Sequence, residues 1–456
     1  MKTFSIIVLL LAGALVGGAQ EAQVAPGSSC APGSGSGADL TLRVTPERGL
    51  VYSAGSREVV VEIDVEAGRV EAAHRGPMNL ALVLDRSGSM QGPKIEKARQ
   101  AACVALDQLA DDDYLSLVVF DHRTELLIPP VRVGGAEHRE ALKSRIDRIR
   151  PGGSTAIYAG VSLGAEQVRA HLDKEFVNRI ILMSDGIANV GPSRTSDLAA
   201  LGRDLRREGL GVTTIGLGDD YNEDLMTALA EASDANYYYV RDAEKLPGIF
   251  SEELGAVRSV VAREIRIRIR TPEGVRLKEI IGRPEIECGG DSAEIALPEF
   301  FGGERRRFLA RCVVENGVDA PIDVASVELG YEASGGARPE PQRQRARVGF
   351  TGAKDKSDES VRFEVARDVS IAQNCLAKEL AVKLADEGRP AEAAKVLRGQ
   401  ATANAAAPAP AQIPALDVEN RELNRSADAL EKDKSLEGAT RKRMQYENWQ
   451  DKYQKR

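Results

Sequence analysis

Three short stretches of this 456-residue chain carry hydroxyls and carboxylates in a pattern that points to a metal ion. Asp85-Arg86-Ser87-Gly88-Ser89 holds one carboxylate and two hydroxyls within five residues. Gly152-Gly153-Ser154-Thr155 adds a second hydroxyl-bearing loop, and Ser184-Asp185-Gly186 a second carboxylate. Only oxygen donors are on offer. A hard cation such as Mg²⁺, or Mn²⁺, suits one or two carboxylates with neutral hydroxyls, since Mg²⁺ takes oxygen ligands at about 2.0–2.1 Å and keeps several waters. Zinc would call for a histidine or cysteine cluster, and His74, His122, His138 and His171 are scattered singly. Taken alone, Asp-x-Ser-x-Ser is also an ordinary turn, because Asp and Ser hydrogen-bond their own backbone. Its weight comes from Thr155 and Asp185 following in order.

The elements that must position these loops are legible as an alternation. Leu80-Ala81-Leu82-Val83-Leu84 is a continuous apolar run ending at Asp85, followed by a helical stretch from about Lys94 to Leu109 and a second buried strand, Leu115 to Phe120. The pattern repeats with Arg179 to Met183, a helix near Ser196 to Glu208, and Gly211 to Leu217. Apolar strands alternating with amphipathic helices predict an α/β fold with a doubly wound, mostly parallel sheet covered on both faces. Open sheets of this kind bind ligands at the carboxyl ends of their strands, where the three loops fall.

Here the chain resembles the von Willebrand factor type A (VWA) domain, whose metal-ion-dependent adhesion site (MIDAS) has the pattern Asp-x-Ser-x-Ser, then Thr, then Asp. The resemblance covers about residues 76–257. It includes Leu115 to Phe120, Gly216-Leu217-Gly218 and the Tyr237-Tyr238-Tyr239 strand. It implies a Rossmann-like sheet in which Ser87, Ser89 and Thr155 contact the metal through hydroxyls, while Asp85 and Asp185 act directly or through water. All five positions match the family's pattern. The outer regions look like bacterial exported proteins of this group, and the layout is similar to that of inter-alpha-trypsin inhibitor heavy chains.

Strand patterning of a different kind flanks the α/β region. Between Leu40 and Val65 the apolar residues alternate, as in Val59, Val61, Ile63 and Val65. Strict alternation returns in Ile265 to Arg270 and continues through Val324 to Tyr331. Period two argues half-exposed strands. We expect N-terminal strands at 39–75 and a β-rich domain at 258–352 to form one β-sandwich into which the α/β domain is inserted, or else a separate small N-terminal element. A helical hairpin is expected at 364–399, with Ile371, Cys375, Leu380 and Leu384 on one stripe and a break at Gly388-Arg389-Pro390. An Ala/Pro linker at 400–416 and a charged tail at 417–456, holding one exposed helix, would follow.

The first nineteen residues read as an export signal: Lys2, an apolar stretch from Phe4 to Val16, and the small residues Gly17-Gly18-Ala19. A flexible leader at 20–38 follows. These features predict export to the periplasm or the extracellular space. No later stretch approaches the roughly eighteen apolar residues of a transmembrane helix, so no such anchor is expected. Of five cysteines, Cys288 and Cys312 flank strand-like stretches and could bridge in an oxidising compartment; the other reading leaves both free. Cys103 and Cys375 read as small core residues. Asp111-Asp112-Asp113 read as a solvated turn, Asp219, Asp220 and Asp224 as helix caps or else as part of the surface beside the metal, and Trp449 as a contact from the tail to the body.

Composition excludes several functions. At 43% hydrophobic and 29% charged the chain is globular, neither disordered nor a multi-span membrane protein. With 69 acidic against 61 basic residues it offers no footprint for nucleic acid. A phosphatase of the haloacid-dehalogenase kind would want a carboxylate two residues after Asp85, where Ser87 stands. The Walker lysine loop is absent. No catalytic residue is therefore assigned. The expected function is that of an exported adhesion or scaffolding module, not an enzyme, binding a protein partner's Asp or Glu side chain through Mg²⁺. The alternatives are an envelope protein whose metal site stabilises the fold and a metal-dependent hydrolase.

Overall fold

The computed structural model describes residues 40–68, 76–257, 259–315, 320–406, 414–433 and 438–453. The expected export signal at 1–19 and leader at 20–38 lie outside the described residues, as do 407–413 of the expected linker. In chain order, β1 (Leu40–Pro46), β2 (Leu50–Tyr52) and β3 (Glu58–Ala67) come first. The α/β unit follows: β4 (Met78–Asp85), α1 (Pro93–Gln108), β5 (Tyr114–Phe120), β6 (Thr124–Arg132), α2 (Ala136–Ile146), α3 (Ile157–Arg169), β7 (Val177–Ser184), α4 (Thr195–Arg207), β8 (Gly211–Leu217), α5 (Glu223–Ala232), β9 (Tyr237–Val240) and α6 (Leu246–Val257). Six strands return the chain to β structure: β10 (Val260–Arg270), β11 (Val275–Ile280), β12 (Ser292–Phe301), β13 (Arg305–Val314), β14 (Ile322–Ala333) and β15 (Gln342–Thr351). Helices α7 (Lys354–Glu359), α8 (Phe363–Asp386), α9 (Pro390–Ala406), α10 (Pro414–Asp433) and α11 (Gly438–Tyr453) complete it.

The α/β unit is a six-stranded sheet of order β6-β5-β4-β7-β8-β9, parallel throughout except for β6 at one edge. Alternate residues of β4 point to opposite faces, and both faces are covered. Leu80, Leu82 and Leu84 pack with α1, α2 and α6, whereas Ala81 and Val83 pack with α3, α4 and α5. That double cover is why β4 reads as an unbroken apolar run. Helix α3 comes unusually close to the sheet. A Cβ added at Gly164 would lie 2.5 Å from Val83 Cγ2, and one at Gly160 would lie 2.8 Å from the Phe120 ring, so only glycine lets this helix lie so near β4 and β5. Strand β6 escapes sequence periodicity because Pro129 and Pro130 interrupt it, which an edge strand tolerates.

The flanking strands form two packed sheets, β1-β3-β13-β11 and β12-β10-β14-β15-β2. Val59, Val61, Ile63 and Val65 of β3 meet Ile265, Ile267 and Ile269 of β10 in one core. The chain leaves this sandwich after β3 and re-enters it at β10, so the α/β unit is an insertion between strands of different sheets. The outer face of β3 is covered too. Val60 packs with Leu309 under Val365 and Val369 of α8. Two acids share that covered face: Asp64 accepts from Arg305 at 2.7 and 2.8 Å and from Arg43 at 3.1 Å. Burial, then the charge of Asp368 on α8, pushes the Glu62 carboxyl up to about 7 against the pull of Arg307 on β13.

Of three readings, one left open is resolved and two require correction. Cys288 and Cys312 are free thiols, as the unbridged reading has them. Cys312 is buried in the sandwich core and Cys288 packs against its rim, while backbone bonds (Leu277 N to Gly290 O, 2.7 Å; Gly289 N to Ser292 O, 2.9 Å) hold the β11–β12 loop that carries Cys288. Asp113 is not part of a solvated turn. It is buried and accepts from the amides of Met78 at 2.8 Å and Ala110 at 2.7 Å, pinning the start of β4 beside β5.

The C-terminal region is the third. Helix α9 continues to Ala406, and the expected tail supplies two helices rather than one exposed one. Leu423, Ala427 and Leu430 of α10 pack on Ala393, Ala394 and Leu397 of α9. Helix α11 returns to the α/β unit: Trp449, only 3% exposed, and Tyr446 lie edge-on to Tyr237 of β9, with ring centroids 6.2 and 5.8 Å apart. Arg441 bonds Glu223, Asp224 at 2.9 Å and Asp386 at 2.8 Å, and Lys442 bonds Glu223 at 2.7 Å. The segment looks solvated in sequence because its partners are distant acids and the tyrosines Tyr221 and Tyr237, not a local apolar stripe.

Two outcomes are expected. Trp449→Ala should cost roughly 3–5 kcal/mol in urea unfolding, the usual penalty for truncating a buried aromatic; a loss under about 0.5 kcal/mol would show that α11 does not dock in solution. Glu62 supplies a pH test. A carboxyl whose folded pKa is raised keeps its proton in the folded state between about 4.5 and about 7, so its contribution is full at low pH and is lost as pH rises through 7. Glu62→Gln should therefore gain in Tm over the wild type as pH goes from 5 to 8, and a Tm difference that does not change with pH would contradict this.

Candidate metal centre

The first strand of the parallel sheet delivers Asp85 at its carboxyl end, and a tight turn through Gly88–Met90 brings Ser87 and Ser89 back over it. The second loop leads into α3 and carries Thr155; the third leaves β7 with Asp185. Backbone bonds lace the three together. Gly152 N donates to Arg86 O at 2.7 Å and Gly88 N to Gly153 O at 3.0 Å, joining the first loop to the second. Asn189 N donates to Thr155 O at 3.1 Å while Thr155 N donates to Asn189 Oδ1 at 2.9 Å, joining the second to the third. Arg86 anchors the first loop to the β5–β6 turn through Asp121 at 3.1 Å and Glu125 at 2.7 Å. The close approach of α3 described above sets how near Thr155 can come to Asp85.

All five residues singled out in the sequence meet at this edge. Asp85 Oδ1 accepts from Ser87 N at 2.7 Å and Oδ2 accepts from Ser184 Oγ at 2.5 Å. Ser87 Oγ and Ser89 Oγ lie 3.0 Å apart, and Ser89 Oγ donates to Asp185 Oδ1 at 2.7 Å. Thr155 joins them across Gly186: a Cβ there would sit 2.7 Å from Thr155 Oγ1 and 3.5 Å from Asp85 Oδ2. Asp85 and Asp185 are both 0% exposed, and Ser87 and Thr155 are buried, whereas Ser89 is exposed. The cluster therefore opens to solvent on the Ser89 side. Burial first, and the charge of Asp185 in addition, pushes the Asp85 carboxyl up to about 6, although Ser184 and Ser87 hydrogen-bond the ionised form.

Two residues that matter here were not singled out by sequence. Ser184 fixes the orientation of Asp85, and a serine closing an apolar strand carries no distinctive signal. Lys94, in the first turn of α1, donates to Asp185 Oδ2 at 2.5 Å. A faint signal existed for it: a cation in the first turn of a helix sits at the unfavourable end of the dipole and calls for a nearby anion.

The donor set fits a hard divalent cation. Two buried carboxylates, each within reach of the other's charge, demand positive charge, and three neutral hydroxyls beside them bring oxygen without adding to the repulsion. Among the described residues no group of three or more His, Cys, Asp or Glu side chains gathers to hold a metal, so the hydroxyls are indispensable to any metal site at this edge.

Residues 79–252 match the family model of the von Willebrand factor type A domain. Over 205 residues the chain is 33% identical to an uncharacterized protein of Synechocystis, covering 45% of this chain and 47% of that one. Over 159 residues it is 30% identical to inter-alpha-trypsin inhibitor heavy chain H3 of Rattus norvegicus, covering 34% of this chain and 18% of that one. The chain thus spans under half the length of these curated relatives. Among solved structures, a von Willebrand factor type A protein from Catenulispora acidiphila superposes with TM-score 0.65 at 18% identity, over 81% of this chain and 88% of that one. The ArnB paralog VWA2 from Sulfolobus acidocaldarius does so with TM-score 0.57 at 17% identity, over 89% and 98%. At those identities the likeness is one of fold, and it extends beyond the inserted domain. Residues 79–252 of the chain are a von Willebrand factor type A domain.

Proposed function

We propose that the chain is an exported binding module that captures an Asp or Glu side chain of a protein partner through Mg²⁺ or Mn²⁺ held by Asp85, Ser87, Ser89, Thr155 and Asp185. VWA domains serve in general as protein-interaction or adhesion modules. The observation that carries the finer reading is the donor count at the sheet edge: three hydroxyls to two carboxylates, all five within one laced set of loops. When bound, the cation supplies a charge that its nearest ligands neutralise poorly. Ser87, Ser89 and Thr155 orient it as neutral donors, and Asp85 and Asp185 supply at most two negative charges from beneath. A partner carboxylate approaching from the Ser89 side then gains a charge-assisted contact. Ile187, two residues from Asp185 and 59% exposed, offers that partner an apolar contact on the same loop.

No helix among the described residues is long and apolar enough to cross a membrane. Export rests on the composition of residues 1–19, namely Lys2, the apolar stretch and the small residues after it. The role is binding rather than catalysis, since position 87 holds Ser where a phosphatase of this topology would hold a second carboxylate.

Titration calorimetry tests the site. Asp85→Asn, which keeps the shape of the side chain, should abolish Mg²⁺ and Mn²⁺ binding, and Thr155→Ala should weaken it, with the circular dichroism spectrum unchanged in both. Binding that persists in Asp85→Asn would mean that the first loop is only a turn. Capture tests the function. A partner retained from envelope extract with Mg²⁺ should be released by EDTA, and converting one partner Asp or Glu to its amide should release it with Mg²⁺ present. An association that survives both treatments would overturn carboxylate capture; an EDTA effect on Tm alone would favour a stabilising metal instead.

A further inference from the structure

We infer that Lys94 is a built-in competitor of the divalent cation: its ammonium and the metal share Asp185, so metal binding requires Lys94 to give up that carboxylate. This rests on the metal site proposed above and adds to it the residue that sets its affinity. Three observations carry it. Lys94 reaches out of the first turn of α1 to a carboxylate 91 residues further along the chain, at 2.5 Å, and that carboxylate is fully buried. Both oxygens of Asp185 are engaged, Oδ1 by Ser89 and Oδ2 by Lys94, so the hydroxyl assigned to the metal and the ammonium meet on one acid. The charges do not allow both cations comfortably. A dication and an ammonium together would set three positive charges on the two buried carboxylates Asp85 and Asp185, in surroundings where water screens poorly.

The lysine is also placed to leave. Its side chain is 28% exposed, against none for Asp185, and it lies beside Gly218, where a Cβ would come within 3.4 Å of Nζ; the glycine keeps that side open. Without a divalent cation the ammonium keeps Asp185 compensated. With one it turns out toward solvent, where a flexible, strongly hydrated point charge costs little to accommodate. A residue that merely held Asp185 in position would have the opposite effect when removed, because the metal would lose an organised ligand.

The experiment is Mg²⁺ and Mn²⁺ calorimetry on the full chain carrying Lys94→Met or, as a polar and uncharged second variant, Lys94→Gln. Asp85→Asn serves as the control, and Tm is measured with EDTA and with Mg²⁺. Competition predicts that both Lys94 variants bind metal at least about tenfold more tightly, since they lose a competing charge beside the site. It also predicts a lower Tm than wild type in EDTA and a larger rise on adding Mg²⁺, as stabilisation grows with the ratio of ligand to Kd. If Asp85→Asn abolishes binding while the Lys94 variants bind as wild type does or more weakly, the competition falls and the metal site stands. If wild type, Asp85→Asn and both Lys94 variants all bind alike, or none binds, both fall. If only the Lys94 variants bind, the competition stands in its strongest form and metal-dependent capture by the wild type falls.

Discussion

Two carboxylates, Asp85 and Asp185, end adjacent parallel strands and are wholly shielded from water. Burying one such charge is costly, and burying two side by side is tolerable only where hydrogen bonds and a cation offset it. Much of the surrounding architecture serves that need. Ser184 and the Ser87 amide each take one oxygen of Asp85, Ser89 takes one of Asp185, and Lys94 brings the positive charge. The loops bearing these groups cannot drift apart, because their backbones bond to one another rather than to solvent.

The scaffold achieves this without a continuous segment of chain. A doubly wound sheet gathers strand ends that are about a hundred residues apart in sequence, and the glycines of α3 let the Thr155 loop settle against the strand that carries Asp85. The sandwich holds the two ends of the inserted unit through β3 and β10. Helix α8 covers the outer face of one of its sheets, and α11 clasps the far edge of the parallel sheet at Tyr237. Each layer thus buries a face that the previous one leaves apolar or charged.

What the amino-acid order reveals follows from how local each signal is. The parallel sheet was readable because strands buried on both faces are continuous apolar runs, and Asp85, Ser87, Ser89 and Asp185 because they follow such runs; Thr155 precedes helix α3 instead and was readable by its order in the motif. The sandwich strands were readable by alternation, although β3 shows its limit: Val60, Glu62 and Asp64 lie on the face that alternation assigns to solvent, yet α8 covers Val60 and brings Asp368 to Glu62, while Arg43 and Arg305 hold Asp64. Long-range pairings left at most a faint trace in any window, and none that names the partner. Lys94 with Asp185, Arg441 with Glu223, and Trp449 with Tyr237 join residues 91 to 218 positions apart. Asp113 looked like one of three turn acids, and only its two amide partners, on β4 and at Ala110, distinguish it. The free Cys288 and Cys312 make the same point, since spacing cannot say whether a loop is held by a bridge or by its backbone.

Everything said of function depends on a divalent cation lying among Asp85, Ser87, Ser89, Thr155 and Asp185. Anomalous scattering from crystals of the full chain grown with Mn²⁺ locates such an ion directly. The account predicts a single strong peak bounded by the hydroxyls of Ser87, Ser89 and Thr155, with the Lys94 ammonium withdrawn from Asp185. Saturating Mn²⁺ that leaves no peak at this edge, with Lys94 still on Asp185, would contradict it.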